Sequence, residues 1–400
     1  MELTKKQQEG LSIALERWRN GEKFTVISGY AGTGKSTLVK FIIEAMNIAP
    51  TSVRYVAYTG KAANVLKTKG CPGATTAHKL LYHTKKTYNG FIFTPKSLDE
   101  MHDEHIQVVV IDEVSMLPKK MWDLCCQYDF YIIACGDPEQ LPPVQDTAGE
   151  DTNNYVLDHP HVFLTEIMRQ AQESEIIRLS MHIREGKPIE TFNYSKEQVM
   201  LVSRLEVNDS MLNWADQVLC ATNRTKIGLN QQIRTSRNFL PDPQIGDKII
   251  NLHNEWEIFS NKENPLTNGN IGTILNMEIF NRTCPTWLRH KPLSMQILKA
   301  TISGNEENEV YTDLQFDLQE ILTGTPVLTS KEEYLLGRRR LFELPLHGNY
   351  GYAITVWKAQ GSEWDKVLLF NESWPNEPTL RKRFLYTAAT RAAQKLVIVT

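Results

Sequence analysis

Residues 28–37 read SGYAGTGKST, in which Gly29-x4-Gly34-Lys35-Ser36 has the spacing of a phosphate-binding loop. Gly29, Gly32 and Gly34 would let a tight turn aim successive backbone N–H groups at one anion, with Thr33 and Thr37 in the same stretch. Lys35 would reach the β- and γ-phosphates, and the Ser36 hydroxyl suits a Mg²⁺ ion. An acidic pair follows an apolar run further on: VVVIDEVSM, residues 108–116, delivers Asp112 and Glu113 to the carboxyl end of a strand. There Asp112 would hold Mg²⁺, through water, while Glu113 would orient and deprotonate an attacking water. Two adjacent acids can also open a solvated helix. Beside a complete phosphate loop, the spacing predicts nucleoside triphosphate hydrolysis.

Two glutamines carry double readings. Thr4-x-x-Gln7 before an amphipathic run is a capping box, in which the Gln7 side chain accepts from the Thr4 backbone N–H. The same amide could instead pair with an adenine edge. In GDPEQLPPV, residues 136–144, Gln140 is placed to sense a γ-phosphate, or the stretch is a proline-rich loop.

The elements that must position these groups alternate in type. Residues 4–20 carry Leu11, Ala14, Leu15 and Trp18 at helical spacing, and Gly21 follows as a stop. Strand, glycine loop and helix follow in FTVISGYAGTGKSTLVKFIIEAM. VRYVAYT, HIQVVVIDE and DFYIIACGD add three buried strands, so a parallel α/β sheet is expected. Within that unit TKKTYNGFIFT, residues 84–94, predicts a β-hairpin turning at Asn89-Gly90. A helical pattern runs from Leu164 to Arg184. ADQVLCAT, GYAITV, DKVLLF and QKLVIVT supply the strands of a second α/β domain. Residues 251–340 alternate on a two-residue period and predict a small antiparallel sheet or barrel inserted into it.

Composition bounds the rest. The 400 residues are 41% hydrophobic and 23% charged, as in ordinary soluble globular chains. A net charge of −3 argues against a uniformly basic surface but permits a local basic groove. Cys71, Cys125, Cys126, Cys135, Cys220 and Cys284 form no CxxC pair, which suits reduced thiols in a cytoplasmic protein. No apolar run reaches membrane-spanning length, and the polar start MELTKKQQEG is no signal peptide.

With YAITVWKAQGSEW (352–364) and FLYTAATRAAQ (384–394) added, the order of motifs resembles superfamily 1 DNA helicases, most closely the RecD/Dda-type branch. AYTGKAANVL (57–66), TTAH (75–78) and LTEIMRQ (164–170) complete the series. The resemblance implies two RecA-like P-loop NTPase domains: 1–157, with a hairpin (pin) subdomain at about 79–105, and 158–250 with 341–400, interrupted by an SH3-like subdomain at 251–340. It implies ATP and Mg²⁺ as cofactors, with Gln7 at the adenine and Gly361 and Glu363 near the phosphates and ribose. Arg169 and Arg391 match two arginines that reach the γ-phosphate. Arg169 alone would read as a surface partner of Glu173.

For nucleic acid, Thr59, Lys61, His78 and Thr355 match positions that grip single-stranded DNA, although Lys61 alone would read as a solvated charge. Phe91 and Phe93 fall on the strand-separating pin, where they either wedge a duplex or seal the hairpin to its own domain. The chain reads TVWKAQG where the family usually has TVHKSQG, so Trp357 replaces a histidine; its indole stacks on a base or packs in an interface. The resemblance further implies 5′-to-3′ travel and unwinding of single-strand/duplex forks by a stand-alone monomer, with a single-strand-binding or replication protein as a partner. A translocase that does not unwind, as a subunit of a recombination or repair complex, and an ATP-dependent DNA-binding switch remain as alternatives.

Overall fold

The computed structural model describes residues 3–71, 73–87, 90–142, 155–167, 173–259, 265–285, 293–304, 309–339 and 342–400. They form two compact units: 1–83 with 94–203 and 359–400, and 84–93 with 204–358.

The first unit is built on a six-stranded parallel sheet. Its order is Thr75–Thr76, Val53–Ala57, Val108–Ile111, Tyr131–Gly136, Phe24–Gly29 and Val162–Leu164. Val108–Ile111 and Tyr131–Gly136 are buried along their whole length, as strands covered on both faces must be. One face packs Ile27, Leu38, Ile42, Val110 and Ile133 beneath the helices Lys5–Arg19 and Lys35–Met46. The other packs Val109, Ile132, Trp122 and Tyr128. Each such side chain contributes roughly 1.5–3 kcal/mol by leaving water, so the carboxyl edge carrying the phosphate loop sits on a rigid base.

The helical pattern read from Leu164 to Arg184 is corrected. Val162–Leu164 is a strand whose Val162 and Leu164 point inward and whose residues pair in parallel with Ile27–Gly29; residues 165–167 and 173–174 are not helical, and among the described residues the helix spans Glu175–Arg184. A buried i, i+2 pair beside a sheet edge overrode the helical spacing. Ser174 caps that helix, and the buried Glu175 accepts from the N–H groups of Ser195, Gln198 and Val199. The same unit holds three further parallel strands in the order Trp364–Phe370, Ala392–Val399 and Val199–Val202, with the helix Pro378–Ala389.

In the second unit Gln217–Cys220 runs parallel to Ala353–Thr355. A five-stranded antiparallel sheet follows the order Val310–Asp317, Leu293–Ser303, Ile271–Cys284, Lys248–Asn251 and Gly348–Tyr350. Lys248–Asn251 and Gly348–Tyr350 close this sheet from beyond the 251–340 segment read in the sequence. Tyr82–Thr87 and Gly90–Pro95 pair as a two-stranded sheet. Of the expected turn, Asn89 lies outside the described residues. Among the described residues no helix is long and apolar enough to cross a membrane, and all six cysteines are free thiols.

Candidate nucleotide site and nucleic-acid contacts

The phosphate loop forms because its glycines adopt conformations other residues resist. Gly32 and Gly34 have φ of 75° and 77°, and Gly34 caps the helix Lys35–Met46. Lys35 Nζ donates to the carbonyls of Gly29 at 2.8 Å and Tyr30 at 3.0 Å, which uses two of its three N–H donors. Thr33 is buried, and its hydroxyl donates to Tyr30 O at 2.8 Å, so it braces the loop from within. Gly29 ends the first strand, and Ser36 and Thr37 lie in the first turn of the helix.

Gln7 does what its capping-box spacing asks and reaches the loop as well. Its Oε1 accepts from Thr4 N–H at 2.9 Å, and its Nε2 donates to the carbonyls of Thr33 at 3.4 Å and Gly34 at 3.3 Å. The first helix is thereby tied to the phosphate loop.

A cavity of about 570 Å³ opens over this loop within the first unit. Lys35, Ser36, Asp112, Glu113, Gln140 and Arg391 all line it. Burial, with the Glu113 charge next to it, pushes the Asp112 carboxyl up to about 6. Glu113 adopts a left-handed φ of 51°, a conformation costly for a non-glycine residue and typical of functional positions. Gln140 is buried, and its Oε1 has no hydrogen-bond partner among the described residues. Arg391 is only 7% exposed. It donates to Thr387 O, Ser362 O and Thr390 Oγ1 at 3.1, 3.1 and 3.2 Å, none of them a carboxylate. Three of a guanidinium's five donors are used, and two remain for an anion.

Gly361 and Glu363 line the same cavity. At Gly361 (φ 73°) a Cβ would lie 2.9 Å from Ala62 Cβ, so a bulkier residue would push two cavity walls apart. Lys69, which the sequence reading did not single out, also lines the cavity, just past the helix Gly60–Thr68. Arg169 lies outside the described residues.

A hydroxyl and a carboxylate, Ser36 and Asp112, are hard oxygen donors of the kind Mg²⁺ takes, and Mg²⁺ binds through one or two protein groups plus phosphate and water. The raised Asp112 carboxyl is a group that a dication would relieve. The residues fit the ion.

The expected nucleic-acid contacts divide between the units. In the first, Thr59 caps the helix Gly60–Thr68 through Ala62 N–H at 3.2 Å. Lys61 is buried, its ammonium 4.8 Å from the centre of the Trp364 ring, so it is not a solvated charge. His78 lies between Tyr58 and Tyr82, with ring centroids at 5.6 and 6.2 Å, and burial lowers its imidazole pKa. In the second unit Phe93 is 44% exposed, while the Phe91 side chain lies outside the described residues. Thr355 ends its strand, and Trp357 is half-buried on the helical turn Val356–Ala359.

Thr355 opens onto something the sequence reading missed. A cavity of about 360 Å³ inside the second unit is lined by Lys226, Lys358, Asn223, Asn349 and Thr355, together with apolar side chains. Burial, and then the Lys226 charge, pushes the Lys358 ammonium down to about 8; burial lowers Lys226 also. Their hydrogen-bond acceptors are neutral amides: Asn349 Oδ1 for Lys226 at 3.1 Å and Asn268 Oδ1 for Lys358. Among the described residues lining this cavity none is a carboxylate, although the Glu320 charge acts on Lys226 and partly offsets its burial. The signal was a lysine on the first turn of a helix after a buried strand, but its partner is distant in sequence.

A family model described as an AAA domain matches residues 2–203, and one described as a UvrD-like helicase C-terminal domain matches residues 350–399. The ATP-dependent RecD2 DNA helicase of Deinococcus radiodurans is 26% identical over 402 residues, covering 94% of this chain and 46% of that protein. The ATP-dependent DNA helicase dda of Enterobacteria phage T4 is 31% identical over 206 residues, 49% of this chain and 44% of that protein. The chain thus spans less than half the length of these two relatives. A solved structure of Pif1 helicases, described as the basis for DNA unwinding at forked dsDNA, has a TM-score of 0.54 at 17% identity, covering 100% of this chain and 92% of that one. Bacteroides Pif1 bound to ssDNA gives 0.53 at 18% identity, with the same coverage. At such identities the likeness is one of fold, a mixed α/β architecture with parallel sheets.

Proposed function

Because the chain belongs to the AAA-domain family, in its RecD/Dda-type superfamily 1 helicase branch, we propose that it hydrolyses ATP to move 5′-to-3′ along single-stranded DNA and to unwind duplexes. The observation that carries the hydrolytic half is the convergence of Lys35, Ser36, Asp112, Glu113, Gln140 and Arg391 on one cavity. Loop N–H groups and Lys35 bind the β- and γ-phosphates. Glu113 orients the attacking water and takes its proton. Gln140 and Arg391 donate to the γ-phosphate as charge develops on its oxygens. Held by Ser36 and Asp112, Mg²⁺ would neutralise phosphate charge.

The DNA half rests on groups that suit a backbone read without sequence. Thr59, Lys61 and His78 in one unit, and Lys226, Lys358 and Thr355 in the other, offer hydroxyl, ammonium and imidazole donors. The 5′-to-3′ direction and Arg169 as a second γ-phosphate arginine rest on the family alone, and Phe93 as a duplex wedge adds only its exposure.

The test is ATP hydrolysis with and without single-stranded DNA, then forks bearing a 5′ or a 3′ tail. Strong stimulation with unwinding of the 5′-tailed fork alone supports the whole reading. Unwinding of the 3′-tailed fork alone overturns the polarity, and hydrolysis indifferent to DNA overturns the motor. Phe91→Ala with Phe93→Ala should abolish unwinding and spare hydrolysis; unchanged unwinding would remove the wedge.

A further inference from the structure

Among the described residues, the loop that carries Gln140 is held mainly by one helix. Tyr386 OH donates to Asp137 Oδ2 at 2.6 Å, and Leu141 N–H donates to Thr387 Oγ1 at 2.9 Å. Lys382 Nζ lies 2.9 Å from Glu139 Oε2. All three anchors belong to the helix Pro378–Ala389, and Arg391 follows its C-cap Thr390, bonded back to Thr387 O. Gln360 closes the fourth side by donating to Leu141 O at 2.8 Å.

Tyr386 differs from the other anchors in touching a second loop. Its oxygen also accepts from Ala31 N–H at 3.0 Å, inside the phosphate loop. The hydroxyl of Tyr386, a residue only 1% exposed, therefore joins the phosphate loop, the Gln140 loop and the arginine-bearing helix. Asp137 is fully buried, and within it Oδ1 accepts from Glu139 N–H at 3.0 Å while Oδ2 depends on Tyr386. A carboxylate so placed fixes the hydroxyl's proton toward itself and leaves the oxygen lone pair for Ala31.

We propose that Tyr386 is a positioning residue for ATP hydrolysis, setting the distance between the phosphate loop and the two γ-phosphate donors, Gln140 and Arg391. It rests on the ATPase reading above and adds a residue which that reading does not use. Phosphoryl transfer depends on donors fixed at the transition-state oxygens, and small displacements there are costly in rate. Ground-state binding is a separate matter. The Tyr386 hydroxyl bonds neither Lys35 nor the loop carbonyls that hold it, so the ground-state phosphate contacts stay in place and nucleotide affinity is kept.

Tyr386→Phe removes a single oxygen atom. The expected result is a kcat for DNA-stimulated ATP hydrolysis at least tenfold lower, with the KM for ATP and the affinity for a fluorescent ADP analogue within twofold of wild type. A kcat within twofold of wild type overturns the proposal, as does a loss confined to KM. Adding Asp137→Asn to Tyr386→Phe removes the unpaired buried carboxylate. If that double variant regains wild-type kcat, Tyr386 only satisfied a charge and the proposal falls; if kcat stays low, positioning stands. The double variant also decides the matter should Tyr386→Phe alone fail to fold. A wild-type chain that hydrolyses no ATP would instead sink the ATPase reading, a distinguishable failure.

Discussion

Two buried cationic sites in the second unit are built on opposite principles. Arg234 is 5% exposed and Asp247 is fully buried; the guanidinium meets both carboxylate oxygens, at 2.9 and 3.0 Å. The carbonyls of Pro241 and Asp242 take two more of its five donors, Tyr352 OH donates to Asp247 at 2.9 Å, and the Tyr350 ring lies over the guanidinium. Every charge there has an answer inside the protein. At Lys226 and Lys358 two ammonium groups share a cavity with no carboxylate among its described lining residues, and burial outweighs the more remote Glu320 charge on Lys226. A satisfied pair holds a fold, whereas a pair of like charges burdens the fold unless an anion arrives. Arg391 belongs with the second kind, since its three acceptors are neutral.

The contrast breaks if the two kinds of cation respond alike to removal. Arg234→Ala strands a buried carboxylate and should lower stability by about 3–5 kcal/mol, seen in denaturant unfolding, with hydrolysis per folded molecule unchanged. Arg391→Ala should do the reverse. Hydrolysis falls by about 10³-fold, while stability moves by no more than about 1 kcal/mol. An Arg391 variant that unfolds but hydrolyses normally when folded would place that arginine among the structural ones. Next in size, Lys358→Met should stabilise the chain by about 1 kcal/mol and weaken single-stranded DNA binding. Each lysine lost from a phosphate contact should reduce the slope of log K against log salt by about 0.7. A slope unchanged in a Lys226→Met, Lys358→Met double variant would deny the cavity its phosphate.

What the sequence could and could not disclose follows the same division. That Lys35, Ser36, Asp112 and Glu113 would meet at one cavity was readable because each pair is made of neighbours in sequence at the end of a strand. Gln7 was readable as a cap from four residues, yet its bonds to Thr33 and Gly34 span the gap between the first helix and the loop. Sequence spacing carries no trace of contacts made only by folding. The Tyr386–Asp137 bond joins residues 249 apart, and the Lys226–Asn349 bond residues 123 apart. Glu113 in a left-handed conformation was equally illegible, because residue type argues against it. The helical spacing read from Leu164 misled at its start because Leu164 ends a three-residue buried strand, too short to show its own period.

The finest test uses pH, because one satisfied and one unsatisfied base of the second unit titrate in neighbouring windows with opposite sign. His347 sits between Glu320 and Glu333, its ring nitrogens 2.8 and 2.9 Å from their carboxylates, with the His253 ring at 4.2 Å. Burial alone would lower its pKa, but the two carboxylates outweigh burial and hold it up to about 10. The folded chain then keeps a proton that the unfolded chain releases near 6.5, so this stabilisation is complete below about 6.5 and is lost as pH rises to about 10. Lys358 runs the other way. Its pKa near 8 means that the folded chain gives up a proton the unfolded chain retains to about 10.4, so stability recovers as pH rises from about 8. Wild-type stability, followed by urea unfolding between pH 6 and 10, should therefore fall by on the order of 1 kcal/mol up to about pH 8 and then flatten. In His347→Gln the fall should vanish and the rise above pH 8 remain. In Lys358→Met the fall should continue through pH 8 without flattening. Parallel profiles for the two variants would mean that the two bases are not held differently, and the distinction between answered and unanswered charge would fail at the two residues where it is most closely matched.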